Sequence, residues 1–463
     1  MLRPALQGAV AVLLSIPVML ILIFVWLPIS LPLWLAVWWS TRALPSRGSL
    51  SAPSSGHPME TRPRGWLFCY ITCLALSWHY SIRLWALVAR PRVVFVVYHN
   101  TIHTLASFFC LHTGRMMARC GLIPDPVDPA LPWFLGLGLI SCGPDTGLGL
   151  VVGLDPVLDT TSKEQLTQLP ACAQRAFPFA KAIAMAGRLP GLVQGATGAA
   201  LQAPMVDGLA GTVFAMEETV HALRARLPEA KQKSATVAIL GGGGFIGSRL
   251  VRALATPPAA PKAAAATATA QQPGADGVGA HAEILIPNDV IGYERVIALD
   301  LRYKEREIKD RILYTSDPAD LSAADIVLVI TASGEDAAQY VEHARAGQEW
   351  GDDTHPEMGH KVLRAMAAKG VNVHKAMAAR SAMTRFLPPL PGWPVGGTPG
   401  CLLMALVTAE TGRMWNGCGA AAEGCRGKAA AGAEEALPYS EFQAAAKSLG
   451  FKAMLVPHKP YLA

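Results

Sequence analysis

One stretch limits what this chain can fold into more than any other: residues 235–254, ATVAILGGGGFIGSRLVRAL. A β-rich apolar run from Val237 to Leu240 stops at four glycines, and a helical pattern begins near Phe245. Read as G-x-G-x-x-G, the glycines are Gly242, Gly244 and Gly247. The first permits a tight turn, the second lets backbone approach a pyrophosphate, and the third lets the helix pack close to the strand. The turn of Gly242, Gly244, Phe245, Ile246 and Gly247 then faces phosphates with free N–H groups and the positive end of the helix. A chain with 43 glycines in 463 residues yields this spacing by chance. The strand before it and the helix after it are what make it a dinucleotide motif. The expected fold is α/β, with a Rossmann-type doubly wound parallel sheet.

The rest of that sheet can be followed downstream. The low-complexity run at 256–282 has no apolar face to bury and reads as a disordered insertion after the first helix. The second strand, RVIAL, ends at Asp300, where a carboxylate would hold the adenosine ribose hydroxyls. Asp300 favours NAD; Arg302 and Lys304, close behind, leave NADP open by offering a partner for a 2′-phosphate. The strand within 324–334 puts Thr331, Ala332 and Ser333 at its carboxyl end, which lines the crevice of such a sheet. Residues 348–358 read as a polar loop there, with His355 a candidate proton donor. Asp352, Asp353, His355 and Glu357 lie in one short loop and need not converge, so no metal is assigned. Residues 371–376 form a short strand with Lys375 at its end, a second candidate for proton relay. A Pro/Gly loop then enters an apolar helix with Cys401 in its first turn, where a helix N-terminus lowers a thiol pKa and favours the nucleophilic thiolate.

Upstream, residues 93–98 read as a strand and 104–120 as a helix. The small-residue stretch 135–150 fits either a substrate-side loop or close packing. Helical patterning covers 162–187, including Lys181, and 204–223 reads as a turn leading into a helix. After a second low-complexity patch at 417–436 come a helix at 439–449 and a strand at 451–456.

The amino-terminal region has a different character. No charged residue occurs from Pro4 to Thr41, and apolar segments at about 6–40 and 65–88 predict a membrane-anchoring region, residues 1–92. Arg42, Arg47, Arg62 and Arg64 between them place the linker, and with it the catalytic part, on the cytosolic side. The nine cysteines form no C-x-x-C pair, which suits a reducing compartment. A net charge of +6, with no basic block interleaved with aromatics, argues against nucleic acid and leaves membrane lipid as the extended partner. Beyond the membrane region the expected division is a Rossmann domain at 234–395, carrying the insertion, and a partner α/β domain split into 93–233 and 396–463. A homo-oligomer is compatible with this layout.

From about residue 130 onward, the order of features resembles the long-chain acyl-carrier-protein reductases. These aldehyde-forming enzymes are themselves similar to amino-acid dehydrogenases. The features are the Gly-rich 136–149 stretch, the helix entry at Gly211, the 235–248 unit, the strand from Ala324, Cys401 opening a helix rich in Met, Ala and Leu, and the closing stretch 446–452. The resemblance implies that Cys401 takes an acyl group as a thioester, which a nicotinamide cofactor reduces to an aldehyde. Short-chain dehydrogenases share the G-F-I-G letters but need Tyr-x-x-x-Lys, and no tyrosine here has a lysine four residues on. The expected function is therefore a membrane-anchored NAD(P)-dependent oxidoreductase acting on a lipid-linked acyl substrate. The alternatives are an amino-acid-type dehydrogenase with a soluble substrate, with Lys181 as its base, and a nucleotide-sensing membrane protein without catalysis.

Overall fold

The computed structural model describes residues 90–98, 133–142, 147–155, 161–256, 293–354, 357–380, 384–387, 396–416 and 438–458. The apolar segments at 6–40 and 65–88, the helix expected at 104–120, the insertion beyond residue 256, His355 and the patch at 417–436 lie outside the described residues. Among the described residues no helix is long and apolar enough to cross a membrane.

The chain begins with β1 (Val93–Val97), β2 (Trp133–Ser141), β3 (Leu148–Asp155), α1 (Lys163–Ala176), β4 (Ala182–Met185), α2 (Leu189–Thr197) and β5 (Met205–Val206). Two helices follow, α3 (Leu209–Arg224) and the short α4 (Glu229–Gln232). Next are β6 (Thr236–Leu240), α5 (Gly247–Ala255), β7 (Arg295–Leu299), β8 (Glu307–Lys309), β9 (Ile312–Thr315), β10 (Ile326–Val329) and β11 (Glu349–Asp352). The last elements are α6 (His360–Ala368), β12 (Asn372–Ala379), β13 (Arg385–Leu387), α7 (Gly400–Thr411), α8 (Tyr439–Ser448) and β14 (Lys452–Pro457).

The larger sheet has the order β14-β12-β11-β10-β6-β7-β9-β8. Its six central strands pair in parallel. Counted along the chain they stand 3-2-1-4-5-6, the order of a doubly wound dinucleotide-binding sheet. Val237 to Leu240 and Ile326 to Val329 are all buried, as strands covered on both faces must be. The order reverses between β6 and β10, so the glycine run after β6 sits at the switch point.

The second sheet, β13-β2-β3-β1-β4-β5, is mixed. Its β3, β1, β4 and β5 are parallel, and β2 pairs antiparallel with both β3 and β13. Several expectations change here. Of the 135–150 stretch, the described residues supply most of the β2–β3 pair, with a register shift between Gly136 and Gly138. The helix expected over 162–187 stops at Ala176, and Ala182–Met185 is a strand buried on both faces. The polar loop at 348–358 begins as strand β11, fully buried despite its polar letters. Lys375 lies inside β12, which continues to Ala379. β14, expected in the partner domain, pairs with β12 at the edge of the Rossmann sheet.

Helices α3 and α7 lie between the sheets. One apolar cluster runs from Val93, Phe95 and Ala184 through α3 and α7 to Val237, Ile239 and Leu328. Strand β1 shows why: Val93 and Phe95 face this cluster, while Val94 and Val96 face the one under α1 and α2. α7 reads as an unbroken apolar run because it is covered all round, with Leu402 to Val407 at 0% exposure. At its far end Glu410 accepts from the Arg380 guanidinium at 2.6 Å, and Arg380 also donates to the Cys142 carbonyl. The pair ties the end of β12 to α7 and to the β2–β3 pair.

Candidate active site

The glycine turn begins one residue before the first expected glycine. Gly241, not Gly242, has the left-handed φ of +86° that glycine alone adopts freely. Its carbonyl accepts from the Gly244 N–H at 2.9 Å. A Cβ on Gly247 would overlap that same carbonyl, and one on Gly241 would lie 2.9 Å from the Ile330 carbonyl. Gly242 is equally confined, since a Cβ there would lie 2.8 Å from the Ala298 Cα of β7. Gly241 thus joins Gly242 and Gly247 as a position that contact with neighbouring backbone keeps bare. The N–H groups of Gly241 and Gly242 both donate to Leu299, and that of Gly243 donates to Asp300 at 3.0 Å. Those of Phe245 and Ile246 make no backbone hydrogen bond among the described residues, which leaves them available to an anion at the start of α5. The Phe245 ring is exposed, with the Arg249 guanidinium 4.1 Å above it.

Asp300 and Arg302 meet directly beside this turn, the guanidinium donating to both carboxylate oxygens at 2.9 and 2.8 Å. Burial raises the Asp300 pKa, but the Arg302 hydrogen bonds and charge and the Gly243 N–H together hold it below the ordinary carboxylate range. At the carboxyl end of β10, the Thr331 hydroxyl donates to the Ser333 carbonyl at 2.8 Å. Ser333 caps the helical turns of 334–343, and Ala332 is exposed. All three residues stand where expected, with the two hydroxyls engaged locally.

Cys401 is positioned by a glycine crossing. Helices α3 and α7 touch backbone to backbone at Gly211 and Gly400, where any Cβ would overlap the Gly400 carbonyl or the Thr212 Cα. The first turn of α7 is thereby seated on the start of α3, and a Cβ on Gly208 would lie 2.8 Å from both the Cα and Cβ of Cys401. The backbone of Gly187, just beyond β4, and the charge of Asp353, just beyond β11, act on the thiol in opposite directions. Cys401 stands in the first turn of α7, against the Gly208 backbone that leads into α3. Burial, with Asp353 adding and Gly187 opposing, pushes its pKa up to about 12. Burial thus opposes the lowering that the helix N-terminus would produce.

Next to it, Asp352 is buried and fully engaged. It accepts from the Thr354 N–H and hydroxyl at 2.9 and 2.6 Å and from the Met358 N–H at 3.0 Å, with His458 3.4 Å away. These bonds pin the turn after β11, and Asp353, the next residue, is the aspartate whose charge acts on Cys401. Lys375 pairs with Asp352 in register and donates to Glu357, so its ammonium is already committed. Among the described residues no three His, Cys, Asp or Glu side chains could hold a metal ion. Asp353 belonged to the expected polar loop but was given no individual role. Only the fold shows that of two adjacent aspartates the first is tied into its own turn, while the charge of the second acts on the thiol.

Burial and the Asp352 charge push the Asp353 pKa up to about 8, with Lys375 opposing. An unfolded aspartate titrates near about 4, so between these values the folded state holds an extra proton. Its contribution to stability is present below pH 4 and is lost as pH rises to 8. Asp353→Asn should therefore gain stability relative to the parent protein between pH 5 and pH 8.5. Thermal unfolding should show a relative gain of at least about 2 °C. Parallel pH profiles for the two proteins would show that Asp353 is not protonated in the fold.

The glycine turn at the switch point of a 3-2-1-4-5-6 sheet defines a Rossmann-type dinucleotide-binding fold. No family model and no curated protein sequence matches this chain. Among solved structures it is similar to D-lactate dehydrogenase with NAD+ from Lactobacillus jensenii, at 11% identity and a TM-score of 0.25, covering 61% of this chain and 79% of that one. It is also similar to L-tryptophan dehydrogenase from Nostoc punctiforme, at 10% identity and a TM-score of 0.27, covering 61% of this chain and 69% of that one. Scores this low have no bearing on the chemistry of this chain.

Proposed function

We propose that this protein is an NAD(P)-dependent oxidoreductase whose substrate carbonyl sits between Cys401 and Asp353. The observation that carries the proposal is the glycine turn at the switch point of the parallel sheet, with Cys401 opening α7 and the charge of Asp353 acting on its thiol. The cradle fits a dinucleotide. Gly241, Gly242 and Gly247 leave no room for a Cβ against the neighbouring backbone, the Phe245 and Ile246 N–H groups would hold the pyrophosphate, and Asp300 and Arg302 would hold the adenosine end. A bound reduced nicotinamide would supply the hydride that turns an acyl group into an aldehyde.

Cys401 would take the acyl group. As a new bond forms from its sulfur to the thioester carbonyl carbon, the carrier sulfur leaves, and Asp353 passes the Cys401 proton to it. After the aldehyde departs, the sulfur regains a proton through Asp353. With a pKa of about 8, Asp353 is present in both protonation states near neutrality, as a relay must be. Lys375, held by Glu357, steadies the charge of this corner. The uncharged run at 4–41 and the second apolar segment support a membrane location with the site facing the cytosol and a lipid-linked substrate. Lys181 does not favour the amino-acid dehydrogenase reading, since it is exposed before β4, at the opposite end of that strand from Gly187.

The full chain in membrane vesicles should bind NAD(H) or NADP(H) and reduce a long-chain acyl thioester to an aldehyde. Turnover of amino or keto acids instead would move the function to the amino-acid class. Binding without turnover would leave a sensor, and no binding of either dinucleotide would refute the proposal.

A further inference from the structure

The Asp300 carboxylate has about four acceptor positions, two on each oxygen. Oδ1 accepts from the Arg302 N–H at 3.0 Å and from Arg302 Nε at 2.9 Å. Oδ2 accepts from the Gly243 N–H at 3.0 Å and from Arg302 Nη2 at 2.8 Å. All four are filled from within the chain. A ribose diol could bind Asp300 only by displacing the Arg302 fork, which is bidentate and charge-assisted. Arg302 meanwhile uses two of its five side-chain donors on Asp300, leaving three, and 64% of its side chain is exposed. It also lies against the phosphate turn, since a Cβ on Gly244 would be 3.4 Å from Nη2. Lys304, exposed two residues on, adds positive charge on the same connection.

Resting on the oxidoreductase reading above, we propose that the adenosine end of the site is built for a 2′-phosphorylated dinucleotide, NADP(H). Arg302 contacts the phosphate, and Asp300 is the positioning residue that holds the guanidinium. The acid at the end of β7 would by itself select a ribose diol. Clasped by Arg302, it becomes the anchor of an anion-binding fork, which matches phosphate geometry better than a flexible ammonium does.

The test uses the full chain and fluorescence titration with NADPH and NADH, together with adenosine 2′,5′-bisphosphate and adenosine 5′-monophosphate as fragment probes. NADPH should bind at least about tenfold tighter than NADH, and the bisphosphate tighter than the monophosphate by a similar factor; tenfold corresponds to about 1.4 kcal/mol. Arg302→Ala should weaken NADPH at least about tenfold and leave NADH unchanged or tighter. Asp300→Asn should weaken NADPH more than NADH, a change in ratio that simple loss of structure would not produce. NADH binding as tightly as NADPH, or Asp300→Asn weakening NADH selectively, would overturn the assignment while leaving the oxidoreductase reading intact. Failure of all four probes would sink both.

Discussion

Gly247→Ala should remove dinucleotide binding while leaving most of the protein folded. The added methyl would overlap the Gly241 carbonyl and come 2.9 Å from the Gly242 Cα. These are backbone atoms on either side of the turn, so no side chain can swing away to make room. Relief requires α5 to lift from β6, which moves the Phe245 and Ile246 N–H groups off the phosphate position. Overpacking of this kind costs about 1–3 kcal/mol. The intrinsic preference of a helix for alanine over glycine, about 1 kcal/mol, offsets only part of that. Titration of both dinucleotides should show affinity reduced by at least about a hundredfold, or about 2.7 kcal/mol. A folded Gly247→Ala protein that binds within threefold of the parent would mean that this turn does not hold the pyrophosphate.

The second large effect is expected at Cys401. Cys401→Ser should reduce aldehyde formation by at least about a thousandfold, a barrier increase of about 4 kcal/mol, while dinucleotide affinity stays the same. The side chain is held against the Gly208 backbone, and serine occupies no more space, so packing is preserved. What is lost is the nucleophile. A buried thiol with a pKa of about 12 can still pass its proton to Asp353 during attack; a hydroxyl is a much weaker acid and nucleophile. The same burial predicts slow alkylation of Cys401 at pH 7 in the free protein, since the thiolate is the reactive species. Unchanged aldehyde formation by Cys401→Ser would rule out the covalent route and leave Asp353 and the dinucleotide cleft for direct reduction of a carbonyl.

Much of the Rossmann half was legible before any coordinates. Its strands are short apolar runs ending in Gly, Asp or Thr-Ala-Ser, and a parallel sheet buried on both faces produces such runs. Asp300 was visible at the end of β7, and Cys401 at the start of α7. The partner sheet was harder to read. Strands β2 and β3 are so rich in glycine that their alternation with leucine resembled a loop, and Ala182–Met185 looked like the continuation of a helix. β11 carries Glu, Trp, Gly and Asp, and it becomes a buried strand because Glu349 meets Arg226 and Asn372, and Asp352 meets its own following turn. Those compensations are made by residues distant in sequence or by the geometry of a turn, and no local pattern announces them.

The sequence by itself determined the sheet type, the place of the phosphate turn and the residue types available at the crevice, because these follow from hydrophobic period and from the need for bare backbone. Only the tertiary structure decided which glycine turns, which aspartate is free and what state the cysteine is in. Gly241 was chosen by contact with Ile330, Asp353 by the engagement of Asp352, and the protonated thiol by burial between two sheets. Each depends on distances between segments far apart in the chain, and electrostatic and steric effects act through space.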